Sequence, residues 1–162
     1  MDSKALFVEK QHFNRILLGG IIFLINIPFL FFLWNVFQSG YEYALADGGH
    51  AAITEFFFSV LLLLFLISVR LETKITHEAL EVRFFPLQLK FRRYKWEQFA
   101  EVSLRKYSPL LEYGGWGLRG LGRNRALNIG GNYGIQLVFH DSSRLLIGTQ
   151  KQDELKRFLE TL

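Results

Sequence analysis

The chain has 162 residues, half of them hydrophobic and seventeen of them Phe, a length that suits one domain or a small domain with something added. Its apolar content and positive mean hydropathy exceed those of an ordinary soluble domain. Nineteen Lys and Arg against fifteen Asp and Glu give a net charge of +4, and the absence of Cys excludes disulfides, thiolate metal sites and cysteine nucleophiles.

After a leading segment that carries Asp2, Lys4, Glu9, Lys10 and Arg15, residues Ile16 to Phe37 run without a charge. As a helix rising about 1.5 Å per residue, that run spans about 33 Å and crosses the hydrocarbon core of a bilayer, with a kink where Pro28 interrupts it. A second apolar run, Ala51 to Val69, holds a single charge, Glu55, about one turn from its start and so near an interface. Two such runs predict a transmembrane hairpin with spans at about 16–37 and 51–69. Ala44-Leu45-Ala46 has the small-x-small pattern of a signal-peptidase site, but the acidic residues of the leading segment and the length of the first run favour a retained helix.

Lys4, Lys10 and Arg15 precede the first run and Arg70 and Lys74 follow the second, whereas the connecting loop has Glu42 and Asp47 and no basic residue. The positive-inside rule therefore puts both termini in the cytoplasm, with Trp34, Tyr41 and Tyr43 forming an aromatic belt at the other face. Asn26, Asn35, Glu55 and Ser59 are the polar exceptions within the spans. Such residues are functional candidates, and they are equally ordinary glue between helices. Two helices do not enclose a pathway, so a pore or a transport accessory role requires a homo-oligomer.

Charge divides the chain. Residues 1–70 carry four basic and five acidic side chains, and residues 71–162 carry fifteen and ten. A positive domain of residues 71–162 beneath the cytoplasmic leaflet faces anionic lipid. This half reads as about seven short antiparallel strands: Leu71 to His77, Ala79 to Phe85, Gln88 to Lys95, Ala100 to Tyr107, Ala126 to Ile129, Gly134 to His140 and Arg144 to Gly148. Alternation points Leu80, Val82 and Phe84 inward, then Ala100, Val102 and Leu104, then Ile135, Leu137 and Phe139. Turn signals stand at Pro86, at Gly130-Gly131-Asn132 and at Asp141-Ser142-Ser143. A helix over about 151–162 closes the chain, with Leu155, Phe158, Leu159 and Leu162 on one stripe and Thr149 and Gln152 in the spacing of a capping box.

Taken with "EYGGWGLR" at 112–119, "GIQL" at 134–137 and "IGTQKQDEL" at 147–155, this arrangement resembles small bacterial membrane proteins in which a two-helix hairpin precedes a pleckstrin-homology-like domain. The resemblance implies an α+β membrane protein of the bacterial inner membrane, with a cytoplasmic barrel capped by a C-terminal helix; it implies a fold and a location, not a reaction. Phosphoinositide-binding members of the wider fold use basic residues around their first two strands, in a pattern ending K/R-x-R. Here "THEALEVR" offers Glu78 and Glu81 beside Arg83, and that ligand is not carried over.

Glu112 to Gly134 packs eight glycines with Trp116, Arg119, Arg123 and Arg125. No Lys-Ser or Lys-Thr and no helical pattern follows those glycines, so neither a P-loop nor a dinucleotide fingerprint fits. The glycines then shape turns, and the arginines with Trp116 are either solvated or form a cationic and aromatic surface for a lipid headgroup or an acidic partner. Lys90, Arg92 and Arg93 form a second basic cluster, which guards a strand edge or meets lipid.

His12, His50, His77 and His140 lie far apart, and no G-x-S-x-G elbow is present. No metal site, cofactor or catalytic residue is predicted. A nucleic-acid partner lacks any signature. The sequence therefore points to a non-enzymatic, membrane-anchored binding or scaffold module that meets a protein partner or anionic lipid, with an oligomer whose hairpin does the work as the alternative.

Overall fold

The computed structural model describes residues 5–120 and 122–160. Of the residues singled out above, Asp2, Lys4 and Leu162 lie outside it, as do the side chains of Tyr43, Ala44, Ala46 and Asp47. The chain is α+β and divides into two compact units, one of residues 1–12 and 69–162 and the other of residues 13–68.

In chain order the described residues form β1 (Phe7–His12), α1 (Arg15–Ile25), α2 (Ile27–Ser39), α3 (Tyr41–Ala44), a π-helical turn (Leu45–Gly49) and α4 (His50–Ser68). There follow β2 (Arg70–Ile75), β3 (Ala79–Phe85), β4 (Arg92–Lys95), a 3-10 turn (Trp96–Gln98), β5 (Phe99–Lys106), α5 (Pro109–Tyr113), β6 (Gly117–Arg119), β7 (Asn124–Asn128), β8 (Tyr133–Phe139), β9 (Arg144–Thr149) and α6 (Gln152–Leu159).

In the helical unit, Asn14 caps α1 by accepting from the Ile16 and Leu17 amides at 2.9 and 3.2 Å. The first apolar run is not one helix. It breaks at Asn26, where α1 and α2 meet at 48°, because Pro28 has no amide hydrogen and its ring crowds the carbonyl four residues back. Among the described residues, only α4 is by itself long and apolar enough to cross a membrane. Phe32 and Ala52 form the buried contact of this unit, with the Phe29 and Phe56 rings stacked 4.2 Å apart.

The other unit carries nine strands among the described residues, in a four-stranded sheet β1-β2-β3-β4 and a five-stranded sheet β5-β8-β9-β7-β6. Several expectations are corrected here. Phe7–His12, placed by sequence with the hairpin, is an edge strand paired antiparallel with β2, so this unit is discontinuous in sequence. The strands are also not all antiparallel: β7 runs parallel to β9, with Asn124 opposite Arg144. The capping box is replaced as well, since α6 starts from Lys151 and the Thr149 hydroxyl donates to Glu9 while accepting from the Lys151 amide at 3.0 Å.

Leu71, Leu80, Val82 and Phe84 of the first sheet and Ile135, Leu137, Leu146 and Ile147 of the second are buried, with Leu155 of α6 closing the core. Ala100 is exposed instead of inward, because a bulge between Phe99 and Glu101 shifts the phase of the strand. Phe99 is buried in its place, with Tyr94 and Phe139 at ring distances of 6.2 and 5.0 Å.

Candidate functional site

β4 ends the first sheet and β6 ends the second. Between them lies a cavity of about 200 Å³ lined by Arg92 and Tyr94 of β4, by Arg119 of β6, by Arg125 of β7 and by Gln88 of the loop before β4. Leu118, Ala126, Leu127 and Leu145 supply its apolar wall.

Two sequence clusters thus meet. Strand alternation explains why Arg92 and Tyr94 share the cavity while Arg93 does not: Arg93 points to the other face and pairs with Glu78 at 3.0 Å and with Glu81 at 3.7 Å. Arg119 and Arg125 are brought into register by the turn from β6 to β7, which depends on Gly120. Its φ is +77°, and a Cβ there would stand 2.1 Å from the Asn124 carbonyl oxygen. Of the other proposed residues, Arg123 donates to the Asp141 carbonyl at 2.9 Å, and Lys90 is exposed and does not line the cavity. Trp116 is 41% exposed, and its carbonyl accepts from Arg119 Nε at 2.7 Å.

Several cations of this unit have carboxylate partners. Arg70 and Arg83 share Glu72 with Lys10, and Arg105 holds Glu112 at 2.8 Å. Burial pushes the Glu72 carboxyl up, and the hydrogen bond and charge of Arg83, with Arg70 and Lys10, outweigh it, so its pKa lies below the usual range. Among the described residues, Arg92, Arg119 and Arg125 have no carboxylate partner, and none lines the cavity. Arg125 Nε and Gln88 Oε1 are buried without a hydrogen-bond partner. Three guanidinium groups around a small concavity can hold a phosphate or carboxylate through paired N–H donors.

Tyr94 lay on the Arg92 side of the predicted strand, but Gln88, also placed in that strand, is in a loop. Nothing local in the sequence marks it, because most of the residues that line the cavity with it come from thirty or more positions away.

The polar candidates within the apolar runs separate. Asn26 accepts from Ser59 Oγ at 2.9 Å and donates to the Ile22 carbonyl at 2.7 Å, tying the break in the first run to α4. Asn35 and Glu55 instead line a second cavity, of about 410 Å³, and Glu55 Oε1 is buried without a partner. Among the described residues no three His, Asp or Glu side chains are placed to hold a metal ion. Compared with models of protein families, with curated proteins and with solved structures, the chain finds no match.

Proposed function

We propose that this chain is a membrane-anchored binding module whose strand-built unit holds an anionic group between Arg92, Arg119 and Arg125. The observation that carries this reading is the convergence of three arginines from three strands on a cavity with no carboxylate. Leaving such cations unpaired costs stability through mutual repulsion, which an anionic ligand relieves.

Anchoring is supported by α4, which at about 1.5 Å per residue is about 28 Å long, and of whose most apolar window only 11% is buried in the protein. The strand register bears on topology. His12 stands opposite Arg70, so the chain leaves for the helical segment and returns from it side by side. Paired residues lie about 5 Å apart, and a chain that departs and returns at one face crosses a bilayer an even number of times. With α4 as one crossing, the bent pair α1–α2 is the other, which favours the hairpin. Lys10, Arg15, Arg70 and Lys74 at the two junctions then favour a cytoplasmic location for the strands. Two small sheets closed by a C-terminal helix also fit the pleckstrin-homology-like type, from which the parallel β7–β9 pair departs.

Calorimetric titration of the full chain in neutral nanodiscs with inorganic pyrophosphate tests the pocket. Saturable binding that weakens with salt and is lost in the Arg92→Gln, Arg119→Gln, Arg125→Gln triple variant is the expected result. Absence of binding at low salt, or equal binding by the variant, overturns the reading. The alternative, an oligomer worked by its hairpin, draws on the cavity of Asn35 and Glu55. It requires an ion or solute flux in proteoliposomes that Glu55→Gln abolishes.

A further inference from the structure

Resting on the anion-binding reading, we infer that the pocket is built for the phosphate headgroup of an anionic phospholipid. Leu87, Leu89, Trp116 and Leu118 enter the membrane interface around it.

The rim of the pocket carries the first argument. Gln88 lines the cavity, and its neighbours Leu87 and Leu89 are 61% and 69% exposed; on the opposite side, Trp116 and Leu118 just before Arg119 are 41% and 42% exposed. A single exposed leucine signifies nothing. Four large apolar side chains flanking three arginines that have no carboxylate partner are a different matter, because a pocket for a freely diffusing anion gains nothing from a greasy border. A bilayer interface takes both, since cations meet the phosphates while leucine and tryptophan enter the acyl boundary.

Strand register supplies the second argument. His12 pairs with Arg70, Arg70 pairs with Phe85, and the loop bearing Leu87 and Leu89 leaves from Phe85. The chain therefore departs for its apolar helices from the same end of the first sheet that carries this loop. On the second sheet, the turns before β7 and before β9 lie together, because Asn124 is opposite Arg144 and the Arg144 amide donates to the Arg123 carbonyl. Arg123 and Arg144 thus add to the charge at that end, where the exposed carboxylates are Asp141, whose Oδ1 accepts from the Ser143 amide, and, one strand further, Glu101 opposite Val138.

Each Lys or Arg close to an anionic leaflet raises partitioning about fivefold, so the three pocket arginines together contribute on the order of 100-fold. The cysteine-free chain makes the test direct. Leu89→Cys, carrying a nitroxide, is placed in the full chain in nanodiscs of phosphatidylcholine alone or mixed with phosphatidylglycerol. Its exposure to oxygen is then compared with its exposure to a water-soluble nickel complex.

With phosphatidylglycerol the label is expected to move from water to lipid, to return when salt is raised, and to stay in water in the triple Arg→Gln variant. The salt titration needs no substitution in the pocket and stands even where that variant misfolds. A label that stays in water in both membranes while pyrophosphate still binds overturns the lipid inference and leaves the pocket to a soluble anion or an acidic protein. If pyrophosphate binding fails too, both readings fall. A label that enters neutral lipid equally well overturns headgroup recognition.

Discussion

The strand-built unit is closed on one side and open on the other, and the two sides differ in whether their charged groups meet a partner. Where β1 meets the end of β9, Glu9 accepts from the Thr149 hydroxyl at 2.6 Å and from the Gln150 amide at 2.7 Å, and Gln11 donates to the Gly148 carbonyl at 2.7 Å. Where β4 faces β6 and β7, three arginines surround a cavity without a counter-charge. Polar groups with partners at hydrogen-bond distance fasten a structure. Cations set around a space without a carboxylate, as the pocket arginines are, are suited to an anion, which is the reading proposed for them.

Removing β1 is the most severe way to break the closed side. A chain without residues 1–12 loses the buried Phe7 and leaves β2 as a bare edge next to Thr149 and Gln150. A strand pairing and a core aromatic together exceed the margin of most domains of this size, since Phe truncation alone costs about 3–5 kcal/mol. Hydrogen exchange on the truncated chain should find the β2 and β3 amides unprotected. Full protection there would show that β1 is an accessory strand. The same reasoning predicts that the fragment 71–162, the domain that composition marks out, does not fold stably on its own.

Single substitutions sharpen the contrast. Glu9→Ala leaves the Thr149 hydroxyl and the Gln150 amide without their acceptor and should cost about 1–3 kcal/mol in thermal unfolding of the reconstituted chain. Arg125→Gln, on the open side, should change stability by less than about 0.5 kcal/mol or raise it, while abolishing pyrophosphate binding. A large loss of stability from Arg125→Gln would make that arginine structural and close the distinction between the two sides. Gly120→Ala touches both stability and binding. Positive φ and the close Asn124 carbonyl predict a cost of about 1–3 kcal/mol, with weakened anion affinity because Arg119 and Arg125 lose their register.

How much of this was legible in the sequence follows from the range of the interactions. Alternation located β3 and β8, because each buries one face against the core, and the long apolar runs located the helices. β1 was missed since its inward side alternates Phe7, Glu9 and Gln11, which reads as polar; the partners that make Glu9 and Gln11 buriable are about 140 residues away. The bulge at Ala100 and the parallel seat of β7 were hidden for a related reason, as both are settled by neighbouring strands and not by local pattern. At the site, composition flagged Arg92, Arg119 and Arg125, but equally Arg93, Arg123 and Lys90. Only the register shows which arginines share a cavity and which already have a partner.

The smallest effect concerns a second fastening of β1, on the outer face of the first sheet. Glu72 of β2 accepts from Arg83 of β3, stands 2.9 Å from Arg70 and lies 3.6 Å from Lys10 of β1. Its folded pKa is depressed below the ordinary 4.5, so the sign follows. Its stabilising contribution is full above about pH 4.5 and is lost as the pH falls through the lower folded value, where the carboxyl gains a proton and releases its three cations. Glu112 has the same sign, held down by the Ser108 amide and by Arg105. Thermal unfolding followed from neutral pH downwards should therefore decline across this acid range, and Glu72→Gln should flatten the decline while lowering stability at neutral pH. Pocket arginines have no carboxylate to titrate, so Arg119→Gln should leave the acid limb unchanged. If Arg119→Gln alters that limb as Glu72→Gln does, the open side holds a hidden counter-charge, and the division between a fastened side and a waiting one fails.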